Sequence, residues 1–160
     1  MADITITVDD KEIQAALTRV LNTLKNPKPV FEDIAQEMQS DIDDHFRKQE
    51  GSDGKWVPSQ RALGQGTGKG KTRTGTTLRD TNFMYNSITS KKNRLATQNA
   101  AIVQTDVKYA PIHNFGGSIK FKKRKGSLKM LKREFMWLSS KGKKNIVQIL
   151  MEHIKKKWGK

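Results

Sequence analysis

The chain of 160 residues contains no cysteine. That excludes a disulfide framework and a thiolate zinc site, and nothing points to an oxidising compartment, so synthesis in a cytoplasm is expected. No apolar run approaches the ~20 residues that cross a bilayer. The first residues are acidic where a secretory signal begins basic, so neither membrane insertion nor secretion by that route is expected. Imidazole is scarce as well: His45, His113 and His153 are the only three. Acidic residues are nearly missing from the back of the chain, with 2 in residues 119–160.

What is present is basic charge, unevenly placed. The net charge is +15. Residues 1–50 carry 6 basic and 11 acidic groups, net −5; residues 51–118 carry 10 and 3, net +7; residues 119–160 carry 15 and 2, net +13. An acidic front joined to a basic back suits contact with nucleic acid or stacking against an oppositely charged neighbour. The length fits one domain over residues 1–160. An apolar fraction of 34% implies a modest core, with polar appendages or an assembly partner that completes it.

Residues 4–8 alternate β-branched apolar and polar side chains and read as a strand with one wet face. Asp9 then caps a helix whose apolar stripe runs from Ile13 to Leu24. Residues 26–29, with Pro27 and Pro29, end it, and a second helix begins near Val30 with Phe31, Ile34, Ala35, Met38, Ile42 and Phe46 as its stripe. The other face holds Glu32, Asp33, Glu37, Asp41, Asp43 and Asp44. These carboxylates lack the alternating ligands and glycine turn of a calcium loop, so a solvated or partner-facing surface is expected.

Residues 51–55 form a turn, after which Trp56 anchors the chain on the core. Residues 64–77 are almost wholly Gly, Thr, Lys and Arg. With nothing apolar to offset ~1–2 kcal/mol of ordering entropy per residue, a mobile Gly/Lys/Thr loop is expected over about 61–78. It superficially resembles a phosphate-binding loop, but no strand precedes it, so no nucleotide site is assigned. Leu78, Phe83, Met84 and Ile88 mark a short helix capped near Asp80 and Thr81. A hairpin bend is read at residues 91–94, with a returning strand over 100–107. Residues 119–121 read as an extended stub, Lys122, Lys123, Arg124 and Lys125 as an exposed basic loop, and residues 134–138 as a last strand. Ser139 or Ser140 caps a final helix lined by Ile146, Ile149, Leu150, Ile154 and Trp158, and its end carries Lys155, Lys156 and Lys157.

The least ordinary stretch is 105–118. Tyr109, Ile112 and Phe115 are spaced to share one side of a helical turn and are expected to plug the core. Gly116 and Gly117 permit backbone angles closed to other residues. His113 sits among them and reads as a structural histidine, bonded to backbone or at a subunit joint, because no nucleophile or acid forms a motif beside it. His45 and His153 adjoin apolar stripe residues. No catalytic, metal or cofactor site is assigned.

Residues 109–117, Tyr-Ala-Pro-Ile-His-Asn-Phe-Gly-Gly, resemble the "YA-x-IH-x-FGG" signature of the phage virion morphogenesis proteins, also called tail completion proteins. Residues 53–58 are similar to that family's "DG-x-W-x-P", residues 78–88 to its "L-x-x-TG-x-L-x-x-SI", and residues 133–139, containing Phe135, to its "R-x-FLGLS". Asn82 stands where the family usually has Gly, and Glu134 where it often has Pro. The resemblance implies a non-enzymatic structural protein that completes the tail or forms the neck joining head to tail. It also implies a homo-oligomeric ring around the DNA channel, made in the host cytoplasm and ending in the virion beside other tail or neck proteins.

The expected fold is α+β: a small, mainly antiparallel sheet packed against two N-terminal helices and a C-terminal helix. The residues expected to meet DNA or an acidic partner are Lys122, Lys123, Arg124, Lys125, Lys129, Lys132, Lys155, Lys156 and Lys157. Two rivals from other classes are a sequence-nonspecific nucleic-acid-binding protein, which the basic back half alone explains, and a nuclease, which needs His113 or the acidic cluster.

Overall fold

A computed structural model describes Lys11, residues 13–15, Thr18 and residues 26–65, 75–121 and 125–158, the last by its backbone only. The expected strand over 4–8, most of the first helix, the centre of the Gly/Lys/Thr loop and Lys122, Lys123 and Arg124 lie outside those residues. Of the first helix, Lys11, residues 13–15 and Thr18 are helical, and Ile13 is buried in the core.

The organising element is helix α1, Lys28–Lys48. Pro29 lies in its first turn, where a missing N–H loses no helical bond. Val30, Phe31, Ile34, Ala35, Met38, Ile42 and Phe46 recur at helical spacing, and all are buried. The helix stops where Gln49 turns left-handed at φ 55° and donates its side-chain amide to the Phe46 carbonyl. α1 packs against helix α4, Ser140–Trp158, against a ribbon of strands β3, Arg94–Ala96, and β4, Ala101–Val103, and against helix α2, Phe83–Thr89. Gln39 of α1 donates to the carbonyls of Ile88 and Ser90, which fixes the end of α2.

The fold is α+β with antiparallel pairing, as expected, but among the described residues the strands form three separate two-stranded ribbons. The others are β1, Glu50–Gly51, with β2, Gly54–Lys55, and β5, Gly117–Lys120, with β6, Ser127–Met130. Residues 119–120, expected as an extended stub, are part of the paired strand β5, and β6 lies where no strand was expected.

Residues 134–138 are not a strand. Side chains from other elements take the backbone groups that a ladder would use. Asn114 Oδ1 accepts from Phe135 N at 3.0 Å and Met136 N at 2.9 Å. His45 Nδ1 donates to the Phe135 carbonyl at 3.0 Å, and Trp56 Nε1 to that of Glu134 at 3.0 Å. Trp56 and Phe135 are both core residues, with Phe135 completely buried.

Tyr109, Ile112 and Phe115 do not plug the core together. Helix α3, Ala110–Phe115, turns Ala110 and Asn114 inward, both at 0% exposure, while Phe115 is 63% exposed and Tyr109 43%. Residues four apart share a helical face, so burying Ala110 and the doubly hydrogen-bonded Asn114 rotates the three large side chains away. The acidic face of α1 is only partly left to solvent, with Glu32 and Asp33 exposed and the rest drawn into contacts. Asp41 accepts from Ser139 N at 2.7 Å and Ser139 Oγ at 2.6 Å, Glu37 from Asn145 at 2.6 Å, and Asp33 pairs with His153 at 2.7 Å. As expected, Ser139 caps α4, accepting from Gly142 N at 3.0 Å.

Candidate assembly surface

Period-two alternation and the register of β5–β6 give that ribbon two unlike faces. Gly117, Ile119, Leu128 and Met130 share one, and Ser118, Lys120, Ser127 and Lys129 the other. Ile119 is paired directly with Leu128, yet they are 42% and 49% exposed. Leu131 and Phe115, next in sequence to the ribbon's base, are exposed as well, at 42% and 63%. A two-stranded ribbon with both faces in water is marginal by itself, so this one is held from its base. Gly116 turns there at φ +72°, and a Cβ on it would lie 2.9 Å from Lys132 N; beside it Arg133 N donates to the His113 carbonyl at 2.8 Å.

The cations expected to form one surface divide. Lys125 and Lys129 are exposed on the ribbon. Lys132 is not a free cation: its ammonium lies 2.8 Å from Asp53 and 3.2 Å from Glu134. Those hydrogen bonds raise its pKa above 10.5, and the Lys132 bond is the main cause that holds Asp53 below its ordinary range. Lys155, Lys156 and Lys157 are exposed at the far end of α4. α1 and α4 run antiparallel, because Asp41, Glu37 and Asp33 meet Ser139, Asn145 and His153 in opposite order. The α4 lysines therefore stand beside the start of α1, whereas the ribbon's base is tied through Phe135 to His45 near its end. Folding does not unite them.

The histidines are structural in setting. His45 is 2% exposed and stacks on Trp137 at 4.3 Å. His153 holds Asp33. His113 lies edge-on to Tyr109 at 5.9 Å, and burial, helped by the charge of Arg133, lowers it below its ordinary 6.5. Asn114 went unread in the sequence, although its spacing from Ala110 was the signal. Arg133 was read only as the start of the 133–139 motif and given no role: it is 7% exposed and its Nε donates to the Val57 carbonyl at 2.9 Å.

Among the described residues no helix is long and apolar enough to cross a membrane. The described residues thus form a helix-centred α+β body that carries an exposed amphipathic ribbon. The chain belongs to the phage virion morphogenesis family, whose model matches residues 8–155. It is 36% identical over 107 residues to "Mu-like prophage FluMu G protein 2" of Haemophilus influenzae, a match covering 67% of this chain and 65% of that relative. The chain thus spans slightly less than two thirds of that relative's length. No solved structure matches it significantly.

Proposed function

We propose that this chain is a structural subunit of phage virion morphogenesis that acts in tail completion or head–tail joining, as a homo-oligomeric ring around the DNA channel. It is one domain, and it acts by being packed against neighbours, not by turnover. The observation that carries the reading is the β5–β6 ribbon, which presents Ile119 and Leu128 as a paired apolar face to water. Isolated apolar patches rimmed by charge mark interaction sites, and here Lys120, Lys125 and Lys129 supply the rim. Family membership and the prophage relative support the virion setting. Electron microscopy of particles made with and without the protein tests it: incomplete tails or unjoined heads and tails are expected without it, and normal particles would overturn the reading.

A second reading, contact with DNA through basic side chains, is favoured by Lys155, Lys156 and Lys157, which project from α4 with no acidic residue among them. Their separation from the ribbon fits contacts to different neighbours: DNA at the end of α4, protein at the ribbon.

A further inference from the structure

A pocket of about 270 Å³ opens between α2, α3 and the base of the ribbon. Phe83 and Tyr109 stand at its mouth at 62% and 43% exposure, Met130 and Leu78 contribute apolar wall, and Arg61, His113 and Arg133 line it. Asp80, the one carboxylate among the lining residues, is engaged by Arg61 at 3.6 Å.

Arg133 is anomalous. The residue is largely buried, no carboxylate pairs with it among the described residues, and its Nη groups, which are reached from the pocket, make no hydrogen bond there. A guanidinium that has lost most of its water is suited to a carboxylate held across its planar fork. Nε is committed to the Val57 carbonyl, which leaves the two-Nη edge for a bidentate acceptor. Beside it His113 Nδ1 is buried and without a hydrogen-bond partner.

We propose that this pocket receives an acidic side chain of a partner protein, a carboxylate flanked by apolar residues, with Arg133 as its counter-charge. The apolar face of the ribbon leads into it, because Met130 belongs both to that face and to the pocket wall. A partner strand or helix lying over Ile119 and Leu128 reaches Arg133 by one side chain. A carboxylate at the tip of a side chain fits this recess. Phosphates on the convex backbone of a duplex do not, and they are met by exposed lysines elsewhere on this molecule. Burial lowers the pKa of Arg133, and the charge of an arriving anion offsets that effect. The proposal rests on the assembly reading only in that the acidic side chain comes from a neighbouring protein.

The test is a titration of the full chain followed by the NMR signals of Arg133 Nε–H and the His113 ring. The probes are a capped Leu-Glu-Leu tripeptide, its Leu-Gln-Leu counterpart, inorganic phosphate and a short oligothymidylate. Saturable shifts with Leu-Glu-Leu are expected, about tenfold weaker with Leu-Gln-Leu. Arg133→Lys keeps the charge but loses the fork, and about tenfold weaker binding is expected. Phe83→Ala, at an exposed site independent of the core, should weaken binding about threefold even if Arg133→Lys fails to fold. Equal binding of the Glu and Gln peptides, preferential binding of phosphate or oligothymidylate, or no response at Arg133 overturns the proposal. Particle completion by the Phe83→Ala protein is read separately: full completion removes the pocket from assembly, whereas normal particles without any protein would sink the structural role and leave the pocket standing.

Discussion

Single side chains decide more of this fold than its hydrophobic stripes suggest. The Asp41 carboxylate caps the neighbouring helix through Ser139, and it approaches so closely that a Cβ on Gly142 would lie 2.5 Å from its Oδ2. Asp41→Ala should therefore lower stability by about 2 kcal/mol and Gly142→Ala by about 1–3 kcal/mol, both read from denaturant midpoints. Phe115→Ala should change stability by no more than about 0.5 kcal/mol, because that ring is in water, whereas Phe135→Ala should cost about 3–5 kcal/mol. A large loss at Phe115 would show that the ring is covered in the free protein. His113 supplies a pH test. Burial, and then the charge of Arg133, lower its folded pKa below 6.5, so the unfolded chain takes up the proton first. The contribution of the neutral ring is intact above pH 6.5 and is lost as pH falls through the folded pKa. Wild-type stability should fall more steeply between pH 7 and 5 than that of His113→Gln; parallel slopes would refute this. Asn82 shows the same economy at a backbone position: it sits left-handed at φ 57°, a conformation Gly and Asn tolerate.

Among the elements, the long helices follow their patterns and the short ones follow their neighbours. α1 and α4 form where apolar residues recur at helical spacing between a proline or serine start and a basic end. The ribbons are short because nothing requires a wide sheet: α1 already supplies the surface on which β3–β4 lies. The β5–β6 ribbon is the exception, since among the described residues no element covers Ile119 and Leu128. Ile119→Asp with Leu128→Asp should leave the far-ultraviolet spectrum and thermal midpoint nearly unchanged, because the face is exposed, while reducing concentration-dependent self-association on a calibrated column. Unaltered association would move the interface elsewhere.

For the whole molecule, the division of charge between front and back is partly neutralised on folding. The carboxylates of α1 meet residues of α4: Lys141 lies 3.4 Å from Asp44 and His153 2.7 Å from Asp33. Exposed lysines remain on the ribbon and at the end of α4. If the latter meet DNA, Lys155, Lys156 and Lys157 changed together to Gln should reduce the slope of log affinity against log salt by about 2–3, with little dependence on base sequence. An unchanged slope would assign that charge to solubility. Replacing Lys129 should have less effect, because it stands at the other end of the α1–α4 pair.

Legible in the sequence were α1, α4, the Trp56 anchor, the Ser139 cap and the family, because each depends on spacing or on a local motif that survives whatever packs against it. Phe115 and the run 134–138 were not legible. Their apolar composition is the same whether they face the core or water, or whether a strand or a side chain satisfies their backbone. Which occurs depends on Asn114, His45 and Trp56, which lie 21, 90 and 78 residues from their partners in the chain. The unpaired guanidinium of Arg133 is of the same kind. A lone arginine reads as surface, and only the tertiary packing places Arg133 in a pocket wall, with its Nε on the Val57 carbonyl.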